Sequence, residues 1–95
     1  MQQLLPQSDV LVPQGASRDD IVKFINNYID NYHCEDLNVD ISWLNIMDSC
    51  FVSNLCSTHH YIKYPTGKIT WNVISESVKN LSNALILGNS SFVKR

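Results

Sequence analysis

The chain has 95 residues, of which 44% are hydrophobic and 17% charged, and its formal net charge is −2. This length allows one compact domain, and the composition is too apolar for a disordered chain. The sequence contains no apolar run near the roughly 18 residues of a membrane span, no secretory signal and no basic, aromatic-rich nucleic-acid-binding stretch. We therefore expect a cytoplasmic protein with no membrane span and no nucleic-acid partner.

The charge is unevenly distributed along the chain. Residues 1–48 carry eight acids and two bases, a balance of −6, whereas residues 49–95 carry five bases and one acid, a balance of +4. This pattern is typical of two solvated faces of one domain. It also fits a polarised surface that steers a charged partner.

The first third of the chain predicts an extended segment and a helix. Residues 1–16 contain three residues that interrupt helices or the hydrogen bonding of strands (Pro6, Pro13 and Gly15). We therefore expect an edge segment with a weak strand near 9–12. Ser17 followed by Asp20 is an N-cap pattern, and apolar residues then recur at helical spacing. The pattern predicts a helix over 18–32.

The central stretch predicts a strand followed by a second helix. Apolar and polar residues alternate over 37–42, which indicates a strand with one buried face. Asp48-Ser49 offers a side-chain oxygen where a helix can begin, so we expect the helix to start at 48–50 and to end before Pro65. Its expected inward residues are Phe51, Val52, Leu55 and Cys56.

The last third repeats the order of strand and helix. Residues 68–73 alternate and predict a strand, Ser75 predicts the cap of a third helix, and Phe92-Val93 predicts a short closing strand. The expected inward residues of the third helix are Val78, Leu81, Ala84 and Leu85. The predicted fold is α/β, a small single-layer, mostly parallel or mixed sheet covered by three helices and formed by residues 17–95.

The cysteines and histidines predict neither disulfides nor a metal site. Cys34, Cys50 and Cys56 are odd in number and lack C-x-x-C spacing, as in proteins of a reducing compartment. Cys56 and His60 are four residues apart and could share an ion, but two ligands do not complete a structural zinc site. We expect no metal and no cofactor.

Two stretches resemble a known family. Val39-Asp40-Ile41-Ser42 and Ile46-Met47-Asp48-Ser49 are similar to the D-[LI]-S … [FI]-[IM]-D-S signature of STAS domains, the sulphate-transporter and anti-sigma-factor-antagonist domains. Residues 67–78 and 85–88 resemble the later strand and helix of that family. The resemblance implies a non-enzymatic domain whose partner is an anti-sigma factor with a histidine-kinase-like ATPase fold. It also implies that the end of the motif strand and the next helix form the docking surface.

The chain departs from the family pattern Asp-Ser-[Ser/Thr]-Gly at its third and fourth positions. Cys50 stands where the family carries the phosphate acceptor, and Phe51 replaces the glycine. A phosphate of about −1.5 to −2 charge would disrupt such an interface by repulsion. Ser49 is the remaining hydroxyl for phosphorylation there, and its alternative role is a helix cap.

The predicted function is therefore a STAS-like protein-interaction module that binds a regulatory partner through the turn around Asp48-Ser49. The expected partner-binding residues are Trp43, Asp48, Ser49, Cys50, Phe51 and Ser53. The alternative is a small-ligand or redox sensor centred on Cys50, since helix N-termini activate thiols. We expect no catalytic residues, because His59 and His60 lie nine and ten residues beyond Cys50, about 14 Å along a helix.

Overall fold

The computed structural model describes residues 10–82 and 89–94. Three helices and three strands alternate along this part of the chain. They are α1 (Arg18–Asn31), β1 (Asp36–Asp40), α2 (Ile46–Lys63), β2 (Lys68–Val73), α3 (Glu76–Ser82) and β3 (Ser90–Lys94). The α/β class and the number of helices predicted from the sequence are confirmed.

The three strands form one parallel sheet in the order β1-β2-β3. Val39 is in register with Trp71, and Trp71 with Phe92, so β2 is the central strand. Right-handed crossovers in a sheet of this order place α2 and α3 on the same face. Helix α1 packs beside α2 on that face, which gives two layers.

The core lies between the sheet and the helices. It contains the inward residues of β1 and β2, three isoleucines of α1, and parts of α2 and α3 (Ile21, Ile25, Ile29, Leu37, Val39, Val52, Cys56, Ile69, Trp71, Val73 and Val78, among others). Trp71 is fully buried, and its indole nitrogen donates to Ser57 Oγ at 2.8 Å. The opposite face of the sheet carries polar side chains: Asn72 Nδ2 on β2 donates to Asn38 Oδ1 on the neighbouring strand β1 at 2.6 Å.

Several local predictions are confirmed. Ser17 Oγ accepts from the backbone nitrogen of Asp20 at 3.2 Å and caps α1. Ser75 Oγ accepts from the Ser77 nitrogen at 3.1 Å ahead of α3, and the closing strand at Phe92-Val93 is part of β3.

Other local predictions are wrong or only partly met. The weak strand near 9–12 is a single bridge from Leu11 to Val39, and residue 9 lies outside the described part of the chain. Leu55 and Leu81, expected inward, are 46% and 57% exposed. The positions of Ala84 and Leu85 fall outside the described residues.

Candidate functional site

The connection from β1 to α2 is ordered by hydrogen bonds to Asp40. Its Oδ1 accepts from the Ser42 nitrogen at 2.9 Å and from Ser42 Oγ at 2.6 Å, and its carbonyl accepts from Trp43 Nε1 at 3.2 Å. Leu44 is buried and anchors the end of the connection, while Trp43 remains 49% exposed. The turn thus holds an indole at the surface without burying it. We call residues 41–48 the β1–α2 tip.

Helix α2 begins earlier than predicted. Its cap is Asn45, whose Oδ1 accepts from the Asp48 nitrogen at 2.8 Å and whose Nδ2 donates to Asp48 Oδ2 at 3.3 Å. Asp48 is therefore the third residue of the helix and not part of a turn before it, so the predicted cap at Asp48-Ser49 is wrong. The missed signal was in the sequence: Asn45 and Asp48 have the spacing that identified Ser17 and Asp20.

Two of the expected partner-binding serines lie on the face of α2 that packs into the protein interior. Ser49 is fully buried and its Oγ donates to the Leu44 carbonyl at 3.3 Å, so no kinase or partner reaches this hydroxyl in the folded protein. Ser53 is also fully buried, and its Oγ donates to the Cys50 carbonyl at 3.3 Å. The expectation that Ser49 and Ser53 form part of a binding surface is corrected, as is phosphorylation of Ser49.

The other expected residues stay at or near the surface. The Arg18 guanidinium lies 4.3 Å from the centre of the Phe51 ring, and its Nη1 lies 3.7 Å from Asp48 Oδ1. Both charged side chains are partly in solvent, so the ion pair adds little stability. Phe51 and Cys50 are half-buried. Arg18 was not expected here, because it precedes Asp48 by thirty residues.

Met47 is the residue that sequence reasoning missed. It lies between the cap and Asp48 and is 69% exposed. With Trp43 it leaves two large apolar side chains in solvent at the carboxyl end of β1. In open parallel sheets this end carries the binding sites, since the helix N-termini and loops converge there.

The three thiols differ in environment. Burial raises the pKa of Cys56 to about 12, and its sulphur lies 3.8 Å from the Val22 carbonyl. Burial also raises the pKa of Cys34, an effect opposed by the nearby Lys63 ammonium. Cys50 is half-buried, which leaves it the most accessible of the three.

His60, whose spacing from Cys56 would allow the two to share an ion, has a structural role. His60 is fully buried, with Nε2 at 2.7 Å from the Cys34 carbonyl and Nδ1 at 3.4 Å from the Asn89 amide. Neither ring nitrogen is left for an ion. Over residues 10–82 and 89–94, no three potential metal ligands cluster.

Comparison with protein-family models, curated proteins and solved structures found no match to the chain. Within the described ranges, no helix has the length and hydrophobicity needed to cross a bilayer. The resemblance to STAS domains therefore depends on the residues quoted above.

Proposed function

We propose that the protein is a non-enzymatic interaction module that binds a regulatory protein through the β1–α2 tip and the adjoining surface of α2. The observation that carries the proposal is the exposure of Trp43 and Met47, at 49% and 69%, beside a turn that hydrogen bonds hold in place. Aromatic residues and methionine are enriched where proteins meet. Maintaining both in solvent costs free energy that a partner would recover.

The neighbouring charges support a macromolecular partner. Arg18 and Asp48 form an ion pair beside Met47, and both side chains are partly accessible. An apolar centre with a charged rim is the usual arrangement of a protein interface. The similarity of residues 39–49 to STAS domains favours an anti-sigma factor of the ATPase type as the partner.

Trp43 supplies the signal that tests this proposal. Trp71 is fully buried, so a change in tryptophan emission on binding reports on Trp43. We expect titration with the purified ATPase-type anti-sigma factors of the source genome to shift the emission to shorter wavelength for one of them. Trp43→Phe should remove the shift.

A matched pair of variants tests the surface. Met47→Lys should weaken that complex at least about tenfold, because a charge replaces a buried apolar contact. Leu81→Lys, at a 57% exposed position on α3, should leave the affinity within about twofold. Equal affinities for the two variants, or no binding by any of these anti-sigma factors, would overturn the proposal.

A further inference from the structure

Helix α2 carries its polar side chains inward. The buried face holds three serines and a histidine (Ser49, Ser53, Ser57 and His60) together with Val52 and Cys56. The serines and the histidine have hydrogen-bond partners, among them Trp71 for Ser57 and the Cys34 carbonyl for His60. The polar groups of the inward face thus have hydrogen-bond partners, although the face is not strongly apolar.

The outward face of the same helix is apolar. At 100° per residue, five side chains fall within an arc of about 80°. We call them the outer stripe: Met47, Phe51, Leu55, Thr58 and Ile62. Met47, Leu55 and Ile62 are 69%, 46% and 74% exposed. Phe51 packs partly against the core, whereas Met47, Leu55 and Ile62 are not among the residues that do so. An amphipathic helix normally keeps its apolar side chains on the inward face.

We propose that the outer stripe binds the outer stripe of a second copy of this chain, with the two α2 helices antiparallel about a two-fold axis. The spacing of the stripe is symmetric about residues 54 and 55. An antiparallel pair therefore places Met47 against Ile62 of the other copy and brings the two Leu55 side chains together near the axis. Such a self-complementary patch is what a two-fold dimer requires.

The charges beside the stripe favour the antiparallel orientation. Helix α1 lies alongside α2 in the same direction, with Arg18 near Asp48 at one end and Asp30 near Lys63 at the other. Reversing one copy brings Arg18 towards Asp30 of the other copy, and Asp48 towards Lys63. A parallel pair would lack these contacts, because its two-fold axis runs along the helices and carries the two α1 helices to opposite sides. It would also align the helix dipoles unfavourably.

The available area suits a reversible dimer. The stripe spans sixteen residues from Met47 to Ile62, a rise of about 22 Å, and the paired helices α1 and α2 are about 20 Å wide. Each copy would bury roughly 450 Å², close to the roughly 500 Å² per partner at the lower limit of specific interfaces. We expect dissociation in the micromolar range. Because Met47 belongs to both surfaces, dimerisation would compete with the partner proposed above, although it does not depend on that partner.

Sedimentation velocity from about 1 to about 500 μM tests the dimer. The wild-type protein should change from monomer to dimer across this range. Leu55→Asp should raise the dissociation constant at least about tenfold, and Ile74→Asp, the exposed control outside the stripe, should leave it unchanged. A wild-type monomer at every concentration, or equal behaviour of the two variants, would overturn the proposal.

Disulfide cross-linking tests the orientation independently. The variants Met47→Cys and Ile62→Cys are each made in a Cys50→Ser background and purified separately. Cys34 and Cys56 are kept, because they are buried. Antiparallel pairing predicts cross-linked dimers when the two variants are mixed and oxidised, and few from either alone. Faster cross-linking of Met47→Cys with itself than with Ile62→Cys would contradict the antiparallel arrangement.

Discussion

His60 organises the buried polar groups between α2 and the sheet. Its Nε2 is 2.7 Å from the Cys34 carbonyl, which can only accept, so Nε2 carries the proton and Nδ1 accepts from the Asn89 amide. Asn89 Nδ2 also donates to the Ser57 carbonyl at 3.3 Å. One imidazole therefore joins the segment before β1 to the residue that precedes β3.

Replacing this histidine should be costly. His60→Leu keeps most of the volume but removes the donor to the Cys34 carbonyl and the acceptor for Asn89. An unsatisfied buried polar group costs about 1–3 kcal/mol, so we expect a loss of about 2–3 kcal/mol in the free energy of unfolding, measured by urea denaturation.

The adjacent histidine is the control. His59 is partly exposed and lies 2.8 Å from Asp30. His59→Leu should therefore cost less than about 1 kcal/mol. Similar losses for both variants would show that the buried network contributes no more than a surface contact.

Sequence reasoning could not assign this role to His60. It identified the residue as a possible metal ligand because Cys56 lies one helical turn away. The groups that its ring contacts, Cys34 and Asn89, are separated from it by 26 and 29 residues. Only the packing of distant segments brings them together.

At the scale of elements, the sequence predicts where helices and strands lie better than which way they face. The apolar spacing of α1 is one-sided, and Ile21, Ile25 and Ile29 are indeed buried. Helix α2 has apolar residues on opposite sides, so spacing alone did not reveal that Leu55 points outward. The orientation of α2 depends on serines that form hydrogen bonds in the interior. The spacing of apolar residues does not reveal such hydrogen bonds.

The cap of α2 gives a prediction for an element. Asn45→Ala should lower the free energy of unfolding by about 1 kcal/mol, because the Asp48 nitrogen loses its acceptor. Asp48→Ala should cost less, about 0.3–1 kcal/mol, since it removes a favourable charge in the first turn. The midpoint of urea unfolding measures both. A larger loss for Asp48→Ala would instead support a helix that starts where the sequence had suggested.

At the scale of the whole molecule, the parallel sheet followed from the alternation of strands and helices with short connections. The candidate surface was only partly predictable. Trp43 and Asp48 are accessible, whereas Ser49 and Ser53 are not, because these serines share the buried face of α2 with Val52 and Cys56. The face that α2 packs on the core thus decides which residues can reach a partner, and apolar spacing alone did not predict that face.

The stability of the whole chain should fall in alkaline solution through Cys56. The pKa of the Cys56 thiol is about 12 in the folded protein, compared with an ordinary value of 9.0. Above pH 9 the unfolded chain therefore loses the thiol proton while the folded chain retains it. The contribution of the protonated Cys56 thiol to the free energy of unfolding is complete below about pH 9 and is lost as the pH rises to about 12.

A comparison of two proteins isolates this effect from the other groups that titrate at high pH. The free energy of unfolding of Cys56→Ala should decline less steeply between these values than that of the wild type, as followed by urea denaturation at each pH. Parallel declines would show that Cys56 does not control alkaline stability.

The order of strands also affects when a newly synthesised chain can complete its fold. The central strand β2 obtains its second neighbour, and His60 its amide donor, only from residues 89–94. A nascent chain that has emerged from the ribosome only as far as α3 still lacks both, and it exposes one edge of β2 to other nascent chains. Completion of the core therefore waits until synthesis has passed Lys94 and that stretch has left the exit tunnel, and during this interval the unpaired edge of β2 is open to aggregation.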